Sequence, residues 1–288
     1  LRHHNTRRGN RMIIRTMTIV LLIAVAATGA AEPVSEHRAW TETYAVGGAA
    51  PLLYVNNVWG SVQVRPGPGG EIRVSIDEFR SAATPELFAR SRTVLPLLID
   101  ADVAGVSIEV GNRKNGWNFH NKCIKCRVDY QFVIEVPPGS IVDVSTVMDG
   151  KVDVSGVSGP VSASNVNGPV SVSDIAGCEK VHSVNGPIRL GFKSAPVASC
   201  DIETINGNIT MAIPDNSSVD LLLDLFNGKV DSEFGLESFM PPATVEQVTD
   251  EGRTLYRVQQ QAGLRIGAGG PVFSISSMNG DVRVKRVN

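Results

Sequence analysis

The sequence predicts an all-β chain of repetitive, stacked β-structure, β-solenoid-like, with one short helix in its N-terminal lead-in. Three observations carry that prediction: evenly spaced glycines, an apolar–polar alternation inside each interval, and Asn-Gly pairs where intervals join. Glycines stand at Gly150, Gly159, Gly168, Gly177 and Gly186, nine residues apart. The third place of each unit holds Val152, Val161, Val170, Glu179 and Ile188, and the fifth holds Val154, Ala163, Val172, Val181 and Leu190. Between them stand Asp153, Ser162, Ser171, Lys180 and Arg189, and the eighth place adds Val157, Val166, Ile175 and Val184. Successive side chains of a strand point to opposite faces, so the third and fifth columns look inward and the column between them meets water. A unit this short cannot bury its own apolar side and must lie on its neighbours. Two units, eighteen residues, would make one rung.

The turns follow from residue chemistry. Asp149-Gly150, Asn167-Gly168 and Asn185-Gly186 are dipeptides suited to sharp reversal, with glycine expected to supply a positive φ. Pro160, Pro169 and Pro187 then open the next strands, a position that tolerates the missing N–H. Asn206-Gly207 and Asn227-Gly228 continue the pattern at intervals of twenty-one, Asn279-Gly280 closes it, and Val55 to Val62 has the same shape.

Residues 1–31 read as a secretory signal peptide. They hold five arginines and no acid, then the apolar run Ile19 to Ala27 and the small residues Thr28 to Ala31. That run is shorter than the roughly 20 residues a bilayer requires, and no later segment suits an integral membrane helix. Met12 or Met17 fits the start, Arg7-Arg8 is a weak twin-arginine signal, and no cysteine near the cut supports a lipid anchor. Taking those five arginines from the 27 basic side chains leaves 22 against 29 acidic ones, a net near −7. An acidic chain without a Lys/Arg cluster argues against nucleic acid as partner.

Residues 32–129 read as a β lead-in that caps one end of the stack, and 130–288 as the repetitive region. Thr84-Pro85-Glu86 predicts a capped helix from Pro85 to about Thr93. Leu97 to Asp100, Val106 to Val110 and Arg127 to Val136 read as strands, and Gly111 to Lys122 as an exposed loop.

The candidate chemistry is sparse. Four cysteines in an exported chain predict two disulfides. Cys178 and Cys200 take nearly equivalent places on successive rungs, within disulfide reach if rungs stack about 4.8 Å apart. Cys123 and Cys126 read as a local disulfide, with metal and redox roles as alternatives. Against those stand Arg127 where haem attachment needs histidine, His120 as a lone extra zinc ligand, and no helix start to lower a thiol pKa. Nine-residue repeats also occur in calcium-binding rolls, but Ser155, Ser164 and Ser173 stand where such rolls carry ligands. The outward charged residues Asp153, Lys180, Arg189, Asp174, His182 and Glu203 are scattered and read as solvated side chains rather than an acid pair. Glu179 interrupts an apolar column and implies a register slip or the end of a rung. No glycine-flanked nucleophile elbow occurs, and Gly267 to Gly270 reads as a turn. Neither catalytic residues nor cofactors are expected.

The segment Tyr130-Gln131-Phe132-Val133-Ile134-Glu135-Val136-Pro137, the strand Asp143-Val144-Ser145 and the repeated Asn-Gly-Pro turns resemble the bacterial putative-adhesin family, exported domains of unknown function. The resemblance runs from Trp40 to Val287 and is strongest from Tyr130 to Val230. It implies repetitive β-structure, a cell-envelope location and a non-enzymatic role. It transfers no site residues, and the Cys123–Cys126 segment departs from it. The expected function is an exported, adhesin-like or scaffold protein presenting polar ladders to a glycan or envelope protein. The alternatives are an enzyme acting on envelope polysaccharide and a dithiol-dependent envelope factor using Cys123 and Cys126.

Overall fold

The computed structural model describes residues 13–18, 33–111, 123, 125–241, 244–250, 253–259 and 261–287. Among them strand dominates, with one helix, Pro85–Val94, two sheets of eleven strands around one aliphatic core, and a separate two-stranded sheet, Thr244–Asp250 with Arg253–Gln259. From Ile141 to Pro214 the chain passes back and forth between the sheets. Ile141–Thr146, Val161–Asn167, Lys180–Asn185 and Cys200–Asn206 pair in parallel in the second sheet. Val152–Ser155, Val170–Ile175, Ile188–Phe192 and Ile209–Pro214 do so in the first. Val152 lies beside Val170, and Val170 beside Ile188, eighteen residues on each time. All of these inward side chains are buried, as are Val154, Ala163, Val172, Val181 and Leu190.

Chain order then breaks. Val272–Asn279 lies between Cys200–Asn206 and Val219–Asn227, and Val282–Val287 lies between Ile209–Pro214 and Val230–Ser232. The far edge of Val219–Asn227 is already taken by Ala262–Ile266, itself backed by Glu237–Phe239, so the returning chain has only the inner edge to fill. At the other end, Leu52–Asn56 and Val62–Pro66 pair with Ile141–Thr146 and Val152–Ser155. Val62–Pro66 carries the first sheet outward through Cys126–Val136, Glu71–Ala82 and Val34–Ala45 to Ile13–Thr18. The second sheet ends on Gly105–Val110 and Leu97–Asp102.

The helix begins as its residues demand. Thr84 Oγ1 accepts the Leu87 N–H at 3.3 Å, with proline in the first turn. Of the expected leader, only Ile13–Thr18 is described, as a strand antiparallel to Ala39–Tyr44. Ile19 to Ala27 and Arg7-Arg8 lie outside the described residues, as does the expected loop beyond Gly111.

The reason for the glycines differs from the expectation. Among Gly150, Gly168, Gly186, Gly207, Gly228 and Gly280, a positive φ occurs only at Gly168. Instead, a Cβ on any of the six would lie 1.9–2.2 Å from the carbonyl oxygen of the glycine stacked beside it. The glycines form their own column, and backbone contact excludes every other residue. Gly177, which lies over Gly159 outside this column, has no such requirement: the nearest atom to a Cβ there is 3.9 Å away.

Two further readings change. Val166 and Val184 are only half-buried, whereas Val157 and Ile175 are buried. The eighth place belongs to a different sheet in alternate units, so its side chains alternate in direction. Glu179 is exposed, and the preceding Cys178 turns into the core.

Candidate binding face

The strand ends that lead into these turns form a layered corner. Pointing inward, Thr146, Asn165, Ser183, Thr204 and Ser277 stack as a buried polar column. Four of them donate to glycine carbonyls: Thr146 to Gly60 at 2.8 Å, Asn165 to Gly150 at 2.9 Å, Ser183 to Gly168 at 3.1 Å and Thr204 to Gly186 at 3.4 Å. These bonds satisfy carbonyls that stacking would otherwise leave unpaired in the interior. At the turn itself the asparagines form an amide chain with one direction. Asn227 donates to Asn279 at 3.0 Å; Asn279 to Asn206, Asn206 to Asn185 and Asn185 to Asn167 follow, each at 2.9 Å. The sequence suggested these asparagines only as turn formers.

The outward face of the second sheet carries three parallel rows. The first runs Tyr54, Asp143, Ser162, Lys180, Asp201 and Ser274. Two residues along each strand, the second runs Asn56, Ser145, Ser164, His182, Glu203 and Ser276. A third, apolar row lies beside the asparagine chain: Val166, Val184, Ile205, Met278 and Phe226. Ile205, Met278 and Phe226 are 37%, 54% and 79% exposed. Adjacent strands stand about 4.8 Å apart, so one row offers a ladder of regular spacing. This apolar row escaped the sequence reading, though its signal was present: an apolar residue precedes Asn-Gly five times.

The small side chains of Val161–Asn167 sink a shallow groove of about 400 Å³ into this face, lined by Asp143, Ser162, Ala163, Ser164, Lys180 and His182. At its rim Glu203 Oε2 lies 3.3 Å from His182 Nδ1, without hydrogen-bond alignment, and 4.0 Å from Lys180 Nζ. Of the charged residues singled out from sequence, Lys180, His182 and Glu203 thus come together. Asp153 and Arg189 do not; they flank Ser171 on the first sheet. Asp174 sits alone at a register shift with φ 53°. Asp143 is the carboxylate in the groove lining, with Glu203 at the rim and Glu179 beside Ser162, and no group of three or more metal-ligating side chains occurs among the described residues.

Cys123 and Cys126 lie at a Cα–Cα distance of 5.4 Å, and Cys178 and Cys200 at 5.3 Å, both disulfide distances. The first pair abuts the Leu87 carbonyl of the helix; the second is buried in the core. Thiol titration of the unreduced, denatured protein is expected to find no free thiol. Four free thiols would leave the dithiol alternative standing.

No family model and no curated protein matches the chain. A crystal structure described as a putative cell adhesion protein from Clostridium sporogenes is similar at 9% identity and a TM-score of 0.43. The match covers 89% of this chain and 100% of that one. No helix among the described residues is long and apolar enough to cross a membrane.

Proposed function

We propose that this chain is an exported, adhesin-like or scaffold protein whose two sheets wind as a β-solenoid capped by the lead-in strands. Its second-sheet face binds a glycan or another envelope macromolecule in extended form. The observation that supports this is the juxtaposition on one face of Ser/His/Glu rows, a one-directional asparagine chain and an exposed apolar row. Extended polymers present polar groups and apolar surface at regular intervals, and an exposed apolar row rimmed by polar residues is a usual interaction surface. Export is supported by the basic and apolar leader and by two cysteine pairs at disulfide distance.

A glycan array and pull-downs with envelope material would test the reading, using the wild-type chain and Ser164→Arg, which fills the groove from an exposed strand face. Binding by the wild type and about tenfold weaker binding by the variant is the expected result, since tenfold corresponds to about 1.4 kcal/mol, the scale of one lost hydrogen bond. No ligand, together with turnover of a polysaccharide, would overturn it in favour of an enzyme.

A further inference from the structure

The sheet edges of this molecule are treated unequally. At the C-terminal end the outermost strands are Val230–Ser232 and Glu237–Phe239, three residues each, and short edge strands resist further pairing. At the other end of the first sheet lies Val34–Ala45, twelve residues long. Among the described residues its outer edge is covered by Ile13–Thr18 alone, which pairs with Ala39 to Tyr44. On the export reading proposed above, that covering strand belongs to the leader and departs with it. Processing would then uncover a long edge whose outward backbone N–H and C=O groups have no partner among the described residues.

We infer that the processed protein dimerises through this edge, Val34–Ala45 pairing antiparallel with the same strand of a second copy about a two-fold axis at Trp40. The inference rests on the export reading. The register follows from the residues themselves. Hydrogen-bonding direction alternates along a strand, so a self-paired antiparallel strand must place residues of equal parity opposite each other. Two such registers use nearly the whole strand. One, centred on Ala39, sets Glu36 opposite Glu42 of the second copy, twice, a like-charge pairing that opposes association. The other, centred on Trp40, sets Arg38 opposite Glu42 of the second copy, again twice, and Trp40 opposite its own counterpart; Glu42, which accepts from Tyr44 Oη, is buried while the leader strand places Arg15 opposite it. Trp40 is only partly covered by the core, and the Arg38 guanidinium lies 5.3 Å over its ring. Arg38 contacts Glu36 and Glu78 only at 3.8 Å, so it is loosely held and can turn to a new carboxylate.

The test expresses the full chain with its own leader, recovers precursor and exported species, and reads both N-termini. Sedimentation equilibrium at matched concentrations is expected to give a monomeric precursor and a dimeric processed chain. Trp40→Cys in the processed chain is expected to form an inter-chain disulfide, because opposed residues lie about 4.5–5.5 Å apart. Should that replacement disturb folding, Ala39→Cys mixed with Thr41→Cys is expected to cross-link, and either alone is not. A processed chain that stays monomeric, a precursor that dimerises equally well, or cross-linking in any other register would overturn the inference while leaving export intact. A chain that is exported with residues 1–31 still attached would overturn the inference, because the covering strand is then not removed; a chain that is not exported would defeat the export reading and the inference with it.

Discussion

Replacing Arg80 with methionine is expected to cost about 3–5 kcal/mol of stability, the range seen when one partner of a buried ion pair is removed. Arg80 and Glu78 are 3% and 4% exposed, beneath the helix. Arg80 Nε donates to Glu78 Oε1 at 2.7 Å, and its two terminal nitrogens donate to Ser91 Oγ at 3.1 Å, the Leu95 carbonyl at 3.3 Å and Tyr130 Oη at 3.0 Å. The guanidinium therefore ties the end of the helix to two strands of the first sheet. Without it the Glu78 carboxylate stays buried, with Arg38 at 3.8 Å as its nearest remaining cation. Burial, then the Glu78 charge, pushes the Tyr130 hydroxyl well above the ordinary tyrosine range, so it stays protonated and brings no second negative charge beside Glu78. Urea unfolding of Arg80→Met and of the double replacement with Glu78→Gln should separate the causes. The double variant is expected to recover most of the loss, because no charge is then left stranded. Equal losses in both would show that the cost lies in lost packing.

Gly186→Ala is expected to destabilise by about 3 kcal/mol, the upper end of overpacking costs, while Gly177→Ala is expected to change stability by less than about 0.5 kcal/mol. The two glycines share one nine-residue spacing and differ in what lies beside them. A methyl at residue 186 would stand 2.1 Å from the Gly168 carbonyl oxygen, whereas at residue 177 the nearest atom is 3.9 Å away. Relief at residue 186 would require separating two strands whose neighbours on both sides are hydrogen-bonded, so the strain cannot be spread cheaply. Paired urea midpoints read the contrast directly. Similar behaviour of the two variants would show that the glycine column is set by turn conformation and not by close approach.

Much of the local structure was legible because alternation is a local property. Val152, Val154, Val170 and Val172 are buried for the reason their spacing implied, and Thr84-Pro85 starts the helix with the expected cap. The face that matters for function was less legible. Val166 and Val184 shared one apolar column with Val157 and Ile175, because a nine-residue spacing treats both halves of an eighteen-residue unit alike. Nothing in the spacing marked Ser183 and Thr204 for burial. Their burial depends on the chain bending toward the glycine carbonyls at each corner, which no count of neighbours along the chain reveals.

The covalent order alone determined where strands begin, which side chains share a face, and where asparagine and glycine recur. Those properties depend on residues within a few positions of each other, and backbone geometry imposes them on any chain with this pattern. Only the tertiary structure decided that Asn279 stands between Asn206 and Asn227, that Lys180, His182 and Glu203 meet at one groove, and that Arg80 is enclosed beneath the helix. Each of these depends on which strand edges remain free once others have paired. That competition is settled between segments far apart in the chain, through backbone hydrogen bonds that carry no residue code.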